Sequence, residues 1–103
     1  IGLISLQKFT SKDFEQNLLN SIYYGKINSQ ASAKLTLRNL DDGTKYEAFY
    51  NKELYNEKKV LVEAGLVGAG ASKKLDRNFY VLIKDNDKLK RGRLSIEAIL
   101  PNS

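Results

Sequence analysis

"NFYVLIKDNDKLKRGRLSIEAILP", residues 78–101, is the stretch on which the fold turns. Phe79, Val81 and Ile83 alternate with Tyr80 and Leu82, so the first run is apolar on both sides. A strand with two apolar sides belongs in the middle of a sheet. Leu94, Ile96, Ala98 and Leu100 alternate again, and Pro101 closes that run because it cannot donate to a ladder. Between the two runs, "KDNDKLKRG" (84–92) is rich in Asp, Asn and Lys and reads as a turn region. Two strands and a turn make a hairpin, and the other elements are placed around it.

Upstream, "GLVGAGASKKL" (65–75) sets Gly65, Gly68 and Gly70 ahead of Ser72, Lys73 and Lys74. A phosphate-binding loop needs G-x-x-x-x-G-K-[ST]. Gly65 and Gly70 have that separation, but Ala71 stands where the lysine belongs. The dinucleotide pattern G-x-G-x-x-G fails as well, with Lys73 at its third glycine. Gly68 and Gly70 are instead expected to take positive φ in a hairpin turn. That turn would follow a strand in which Val60, Val62 and Ala64 alternate with Leu61. "NKELYNEKK" (51–59) is polar and reads as a loop. Tyr46, Ala48 and Tyr50 mark an earlier strand, Leu35 and Leu37 another, and "NLDDG" (39–43) joins them as a tight turn.

"TSKDFEQNLLNSIYYG" (10–25) reads as a helix, with Phe14, Leu18, Leu19 and Ile22 on one stripe. Asp13 and Gln16 have capping-box spacing, with Ser11 as a rival cap. Gly25 is a candidate stop, yet Tyr23, Ile27, Ala31 and Leu35 extend the stripe, so an end near Ser32 stays open. "IGLISLQKF" (1–9) is apolar without a clean period, and is either a strand or the last turns of a helix. The expected fold is α+β, one N-terminal helix packed on an antiparallel sheet of about five strands. A single domain over 1–103 is expected. Residues 1–32 would form its apolar segment and helix, and residues 33–103 its sheet.

The chain has no Cys, His, Trp or Met. Disulfides, thiolate sites and the common zinc, copper and haem sites are therefore closed, and no cofactor is expected. The missing methionine makes Ile1 the expected start of a processed chain, with any leader or anchor upstream of it. Asp41 with Asp42, and Asp85 with Asp87, are carboxylate pairs, but both sit among turn residues where Asp caps its own backbone. Ser11 and Ser72 have no histidine base, and nothing supports a Ser–Lys dyad. A non-enzymatic role is expected.

Net charge is +5. Residues 1–72 hold nine basic and eight acidic side chains, and residues 73–103 hold eight and four. The excess gathers at Lys73, Lys74, Arg77, Lys88, Lys90, Arg91 and Arg93, with Lys84 beside them. These form a candidate anion-binding patch, and the alternative is a solvated rim on hairpin loops. Tyr46, Phe49, Tyr50, Phe79 and Tyr80 fall on expected strands, as core or as a stacking surface for single-stranded nucleic acid. No RNP-type signature accompanies them.

In organisation the chain resembles a type IV pilin-like subunit, a minor pilin or pseudopilin. "IGLISLQKF" is similar to the distal end of the family's long apolar helix. "EQNLLNSIYYGKINSQASAKL" is similar to its polar continuation, with Ala31 and Ala33 where the family carries alanines. "KKVLVEAGLVGAGASKKLDRNFYVLI" is similar to its late hairpin. The family's cysteine pair is missing, and "GRLSIEAIL" is a strand that the family does not require. The resemblance implies a structural subunit of a bacterial surface or periplasmic filament, with other subunits as partners. Ile1, Leu3, Ile4, Leu6 and Phe9 would then be its assembly interface. A small basic nucleic-acid-binding domain is the alternative, carried by the charge excess rather than by the resemblance.

Overall fold

The computed structural model describes residues 2–16, 31–63 and 72–101. Its elements run β1 (Gly2–Ser5), α1 (Leu6–Phe9), β2 (Ser32–Asn39), β3 (Lys45–Tyr50), α2 (Lys52–Glu63), β4 (Ser72–Asp85) and β5 (Lys88–Pro101). The strands form one sheet in the order β1-β4-β5-β2-β3. β1 is parallel to β4, and the other three pairings are antiparallel, so the sheet is mixed rather than antiparallel throughout. The class is α+β.

The hairpin read from residues 78–101 is present and longer than expected. β4 and β5 pair without interruption from Ser72↔Pro101 to Asp85↔Lys88. The turn shrinks to Asn86 and Asp87, with Asn86 at φ +55°. Lys88, Leu89, Lys90 and Arg91 therefore belong to a strand, not to a turn region. The second hairpin turns where expected. Asn39 Oδ1 accepts from the Asp41 and Asp42 amides at 2.8 and 3.3 Å, and Asp42 Oδ1 accepts from the Thr44 amide at 2.9 Å. Gly43, at φ +79°, supplies the left-handed residue.

Alternation sorts the strands onto two faces. Leu35, Leu37, Val81 and Ile83 point to the core face and close around Phe9 of α1. Ile4, Leu6, Phe14, Leu94 and Ile96 pack against that cluster. Ser5 caps α1, accepting from the Lys8 amide at 3.4 Å. Residues 14–16 are helical, and the remainder of the expected helix up to Gln30 lies outside the described residues. It does not reach Ser32, which already belongs to β2.

Residues 51–63 correct the sequence reading, while Ala64 of the expected strand lies outside the described residues. Lys52–Glu63 is a helix, not a loop followed by a strand. Leu54, Tyr55, Lys58, Lys59 and Val62 are its covered positions, a helical stripe, whereas Val60 is 65% exposed. The Val-Leu-Val run imitates a strand because three adjacent apolar residues fit either period. The helix lies against β2, β4 and β5 on the face opposite α1. The chain therefore does not divide at residue 32: β1 enters the sheet, and a helix interrupts residues 33–103. Among the described residues no helix is long and apolar enough to cross a membrane.

Candidate anion-binding face of the sheet

On the face opposite α1, cross-strand registers stack side chains into rows. One row reads Tyr80–Arg93–Arg38–Lys45, across β4, β5, β2 and β3. The next reads Asn78–Ser95–Thr36–Glu47, and a third reads Asp76–Glu97–Lys34–Phe49. Arg93, Arg38 and Lys45 are thus direct neighbours with no acidic residue among them. All three are exposed, and none makes an ion pair among the described residues. Tyr80, at the end of the row, is 74% exposed.

The nearby carboxylates are engaged elsewhere. Glu47 pairs with Lys34 at 2.7 Å, which holds the Glu47 carboxyl below its usual range and raises Lys34. Glu97 accepts the Tyr55 hydroxyl at 2.8 Å. Burial first, and this hydrogen bond second, push the Tyr55 phenol upward, so it stays neutral. Tyr55 also meets the Phe49 ring edge-on at 5.7 Å, fixing α2 over the third row. A depression of about 360 Å³ runs across all three rows, lined by Lys34, Thr36, Arg38, Lys45, Glu47, Arg93, Ser95 and Glu97. Three cations along one side and the Thr36 hydroxyl suit an anion such as a phosphate, although Ser95 donates its hydroxyl to Asn78 Oδ1 at 2.7 Å and Glu47 and Glu97 line the same depression.

The patch expected from the sequence is not one surface. Arg77, Lys88 and Lys90 stand at core-face positions, whereas Lys74, Lys84, Arg91 and Arg93 stand on the opposite face. Lys90 pairs with Asp85 at 3.2 Å and Arg91 with Asp41 at 2.9 Å. The Lys73 side chain lies outside the described residues. Of the expected set, only Arg93 joins the cation row. Arg38 and Lys45 were hidden by a charge count, because residues 1–72 are nearly balanced. The alternation Lys34-Thr36-Arg38, opposite Leu35 and Leu37, was the signal that could have found Arg38.

The other candidates separate likewise. Phe9 is 3% exposed in the core, Ile4 and Leu6 pack on it, Leu3 is 61% exposed, and Ile1 lies outside the described residues. Of the two readings left open for residues 1–9, Gly2–Ser5 is a strand and Leu6–Phe9 a helical turn, not the apolar helix that the resemblance implied. Residues 64–71, with Gly65, Gly68 and Gly70, lie outside the described residues. The element before them, Lys52–Glu63, is a helix rather than the expected strand. Of the carboxylate pairs, Asp85 accepts from Gln7 at 3.0 Å and from Lys90, which together lower its pKa. Asp42 is lowered by its hydrogen bonds from Thr44. Among the described residues no group of three or more acidic side chains is placed to hold a metal ion. Comparison of the chain with protein-family models, curated proteins and solved structures gives no match.

Proposed function

We propose that this domain is a non-enzymatic binding module that takes single-stranded nucleic acid on the open face of its sheet. The observation that carries the reading is the row Arg93–Arg38–Lys45, three cations directly opposed across three strands, none of them in an ion pair among the described residues. Like charges in direct cross-strand opposition destabilise a sheet. A phosphate backbone laid along the row relieves that repulsion, and Tyr80 at its end offers a ring on which a base can stack. The filament-subunit reading has less support, since Gly2–Ser5 is a sheet strand and Phe9 fills the domain's own core.

The test is fluorescence anisotropy of a labelled oligothymidine over a salt series. Binding should weaken steeply with salt. Alanine at Arg93 or Lys45 should lower the salt slope by about 0.7 each. Tyr80→Ala should cost about 1–3 kcal/mol with the slope unchanged. No binding at low salt, or equal loss from Lys88→Ala and Arg93→Ala, would remove the reading. Binding of heparin or anionic vesicles that is insensitive to Tyr80→Ala would assign the row to another polyanion.

A further inference from the structure

One row nearer the β4–β5 turn, the open face changes character. Leu82 of β4 stands opposite Arg91 of β5, beside Tyr80 and Arg93 of the cation row. Leu40 follows β2 and donates its amide to the Arg91 carbonyl at 3.0 Å, which sets it on the other side of Arg91. The row therefore reads Leu82–Arg91–Leu40, and its leucines are 37% and 39% exposed. Arg91 Nε and Nη2 both donate to Asp41 Oδ1, at 3.3 and 2.9 Å. The Arg91 side chain is nevertheless 77% exposed. Asp41 thus takes the charge and fixes the guanidinium, and leaves most of its surface open.

We propose that Leu82–Arg91–Leu40 is the track on which the bases lie when the phosphates of a single strand occupy Arg93–Arg38–Lys45, with the Arg91 guanidinium as a stacking platform. The proposal rests on the nucleic-acid reading and adds the side to which the bases turn. A phosphate on the cation row can send its base either way. Toward α2 lie Glu47 and Glu97, which line the depression, and Tyr55 of α2 bonded to Glu97 at 2.8 Å. Toward the turn, Asp41 stands beside the row and is already paired. Neighbouring rows are two residues apart along a strand, about 7 Å. That is comparable with the reach from a phosphate across its sugar to the base. Leucine side chains and a fixed guanidinium plane suit the flat face of a base. A paired arginine is a poor phosphate ligand, because Asp41 would have to be displaced.

The experiment compares two labelled probes on the full chain by fluorescence anisotropy, oligothymidine and an abasic strand of equal length. Leu82→Ala should weaken oligothymidine binding about threefold or more and leave the abasic strand unchanged. Arg91→Lys keeps the charge and loses the plane, so it should do the same, with the salt slope of wild type. Leu89→Ala is the control. Leu89 is 62% exposed on the same face but one row further on, opposite Lys84. Its removal should change neither probe. All three side chains are exposed, so circular dichroism should show an unchanged fold. If Leu82→Ala or Arg91→Lys binds oligothymidine like wild type while Arg93→Ala binds it less well, the base track is overturned and the nucleic-acid reading stands. Equal losses for both probes, or a salt slope lowered by about 0.7 in Arg91→Ala, would make Arg91 a phosphate contact and overturn the track as well. Anionic vesicles that lose binding equally in Leu82→Ala and Leu89→Ala would assign the leucines to a bilayer instead. No oligothymidine binding at low salt would remove both readings.

Discussion

Arg38→Gln should make this domain more stable and a poorer ligand binder. Arg38 stands directly opposite Arg93 on one side and Lys45 on the other. Each opposition of like charges costs roughly 0.2–1 kcal/mol on the scale of cross-strand pairs. Glutamine keeps most of the stem that covers the sheet while removing the charge, so the substitution relieves both oppositions. The gain should be about 1 kcal/mol at low salt, which raises the melting temperature of a domain this size by about 4–8 °C. Urea is the denaturant of choice, since guanidinium would screen the effect being measured. The gain should fade toward zero at about 1 M salt, where the screening length falls to roughly 3 Å. In parallel, the salt slope of oligothymidine binding should drop by about 0.7. A variant that loses stability, or gains equally at both salt concentrations, would show that the row stores no repulsion. The physical basis for the proposed ligand would then be gone.

Three further outcomes test the frame that holds the row. Gly92→Ala should cost about 1–3 kcal/mol, because its Cβ would lie 2.6 Å from both Cγ1 and Cδ1 of the buried Ile83. The penalty should shrink in combination with Ile83→Val, and strict additivity in urea melts would refute the clash. Tyr55→Phe should cost about 1–2 kcal/mol by removing the hydroxyl from the Glu97 carboxylate, an effect Val60→Ala on the exposed side of α2 should not reproduce. For pH, the carboxyls of Glu47, Asp42 and Asp85 are held below their usual range, so each adds stability above that range. Stability should fall as pH drops below about 5, while Lys34, raised by Glu47, keeps its contribution until strongly alkaline pH. A urea midpoint that rises on acidification would contradict these pairings.

What the sequence disclosed depends on how local each cause is. The 39–43 turn and the β4–β5 hairpin were readable because Asn-Leu-Asp-Asp-Gly and the alternation at 79–83 are complete within a few residues. The β4–β5 turn was read too long, because Lys88, Lys90 and Arg91 resemble loop residues until Asp85 and Asp41 are seen beside two of them. α2 was missed for a different reason. Its covered stripe is built from Leu54, Tyr55, the stems of Lys58 and Lys59, and Val62, and lysine stems do not register as apolar in a periodicity count. The parallel pairing of β1 has no local signature at all, since its partner lies nearly eighty residues away. The cation row was hidden for the same reason: Arg93, Arg38 and Lys45 become neighbours only once three strands are in register.

The cation row Arg93–Arg38–Lys45 departs from the ion pairing seen beside it. Beside it on the open face Lys34 pairs with Glu47 and Arg91 with Asp41, while Asp76 opposite Glu97 is a second like-charged opposition. At Arg93–Arg38–Lys45 like charges are opposed across three strands in succession, although a glutamate in place of Arg38 would pair with both neighbours. Departures from local consistency in an otherwise consistent fold concentrate where a second molecule completes the interaction. On that argument the row lacks an anion.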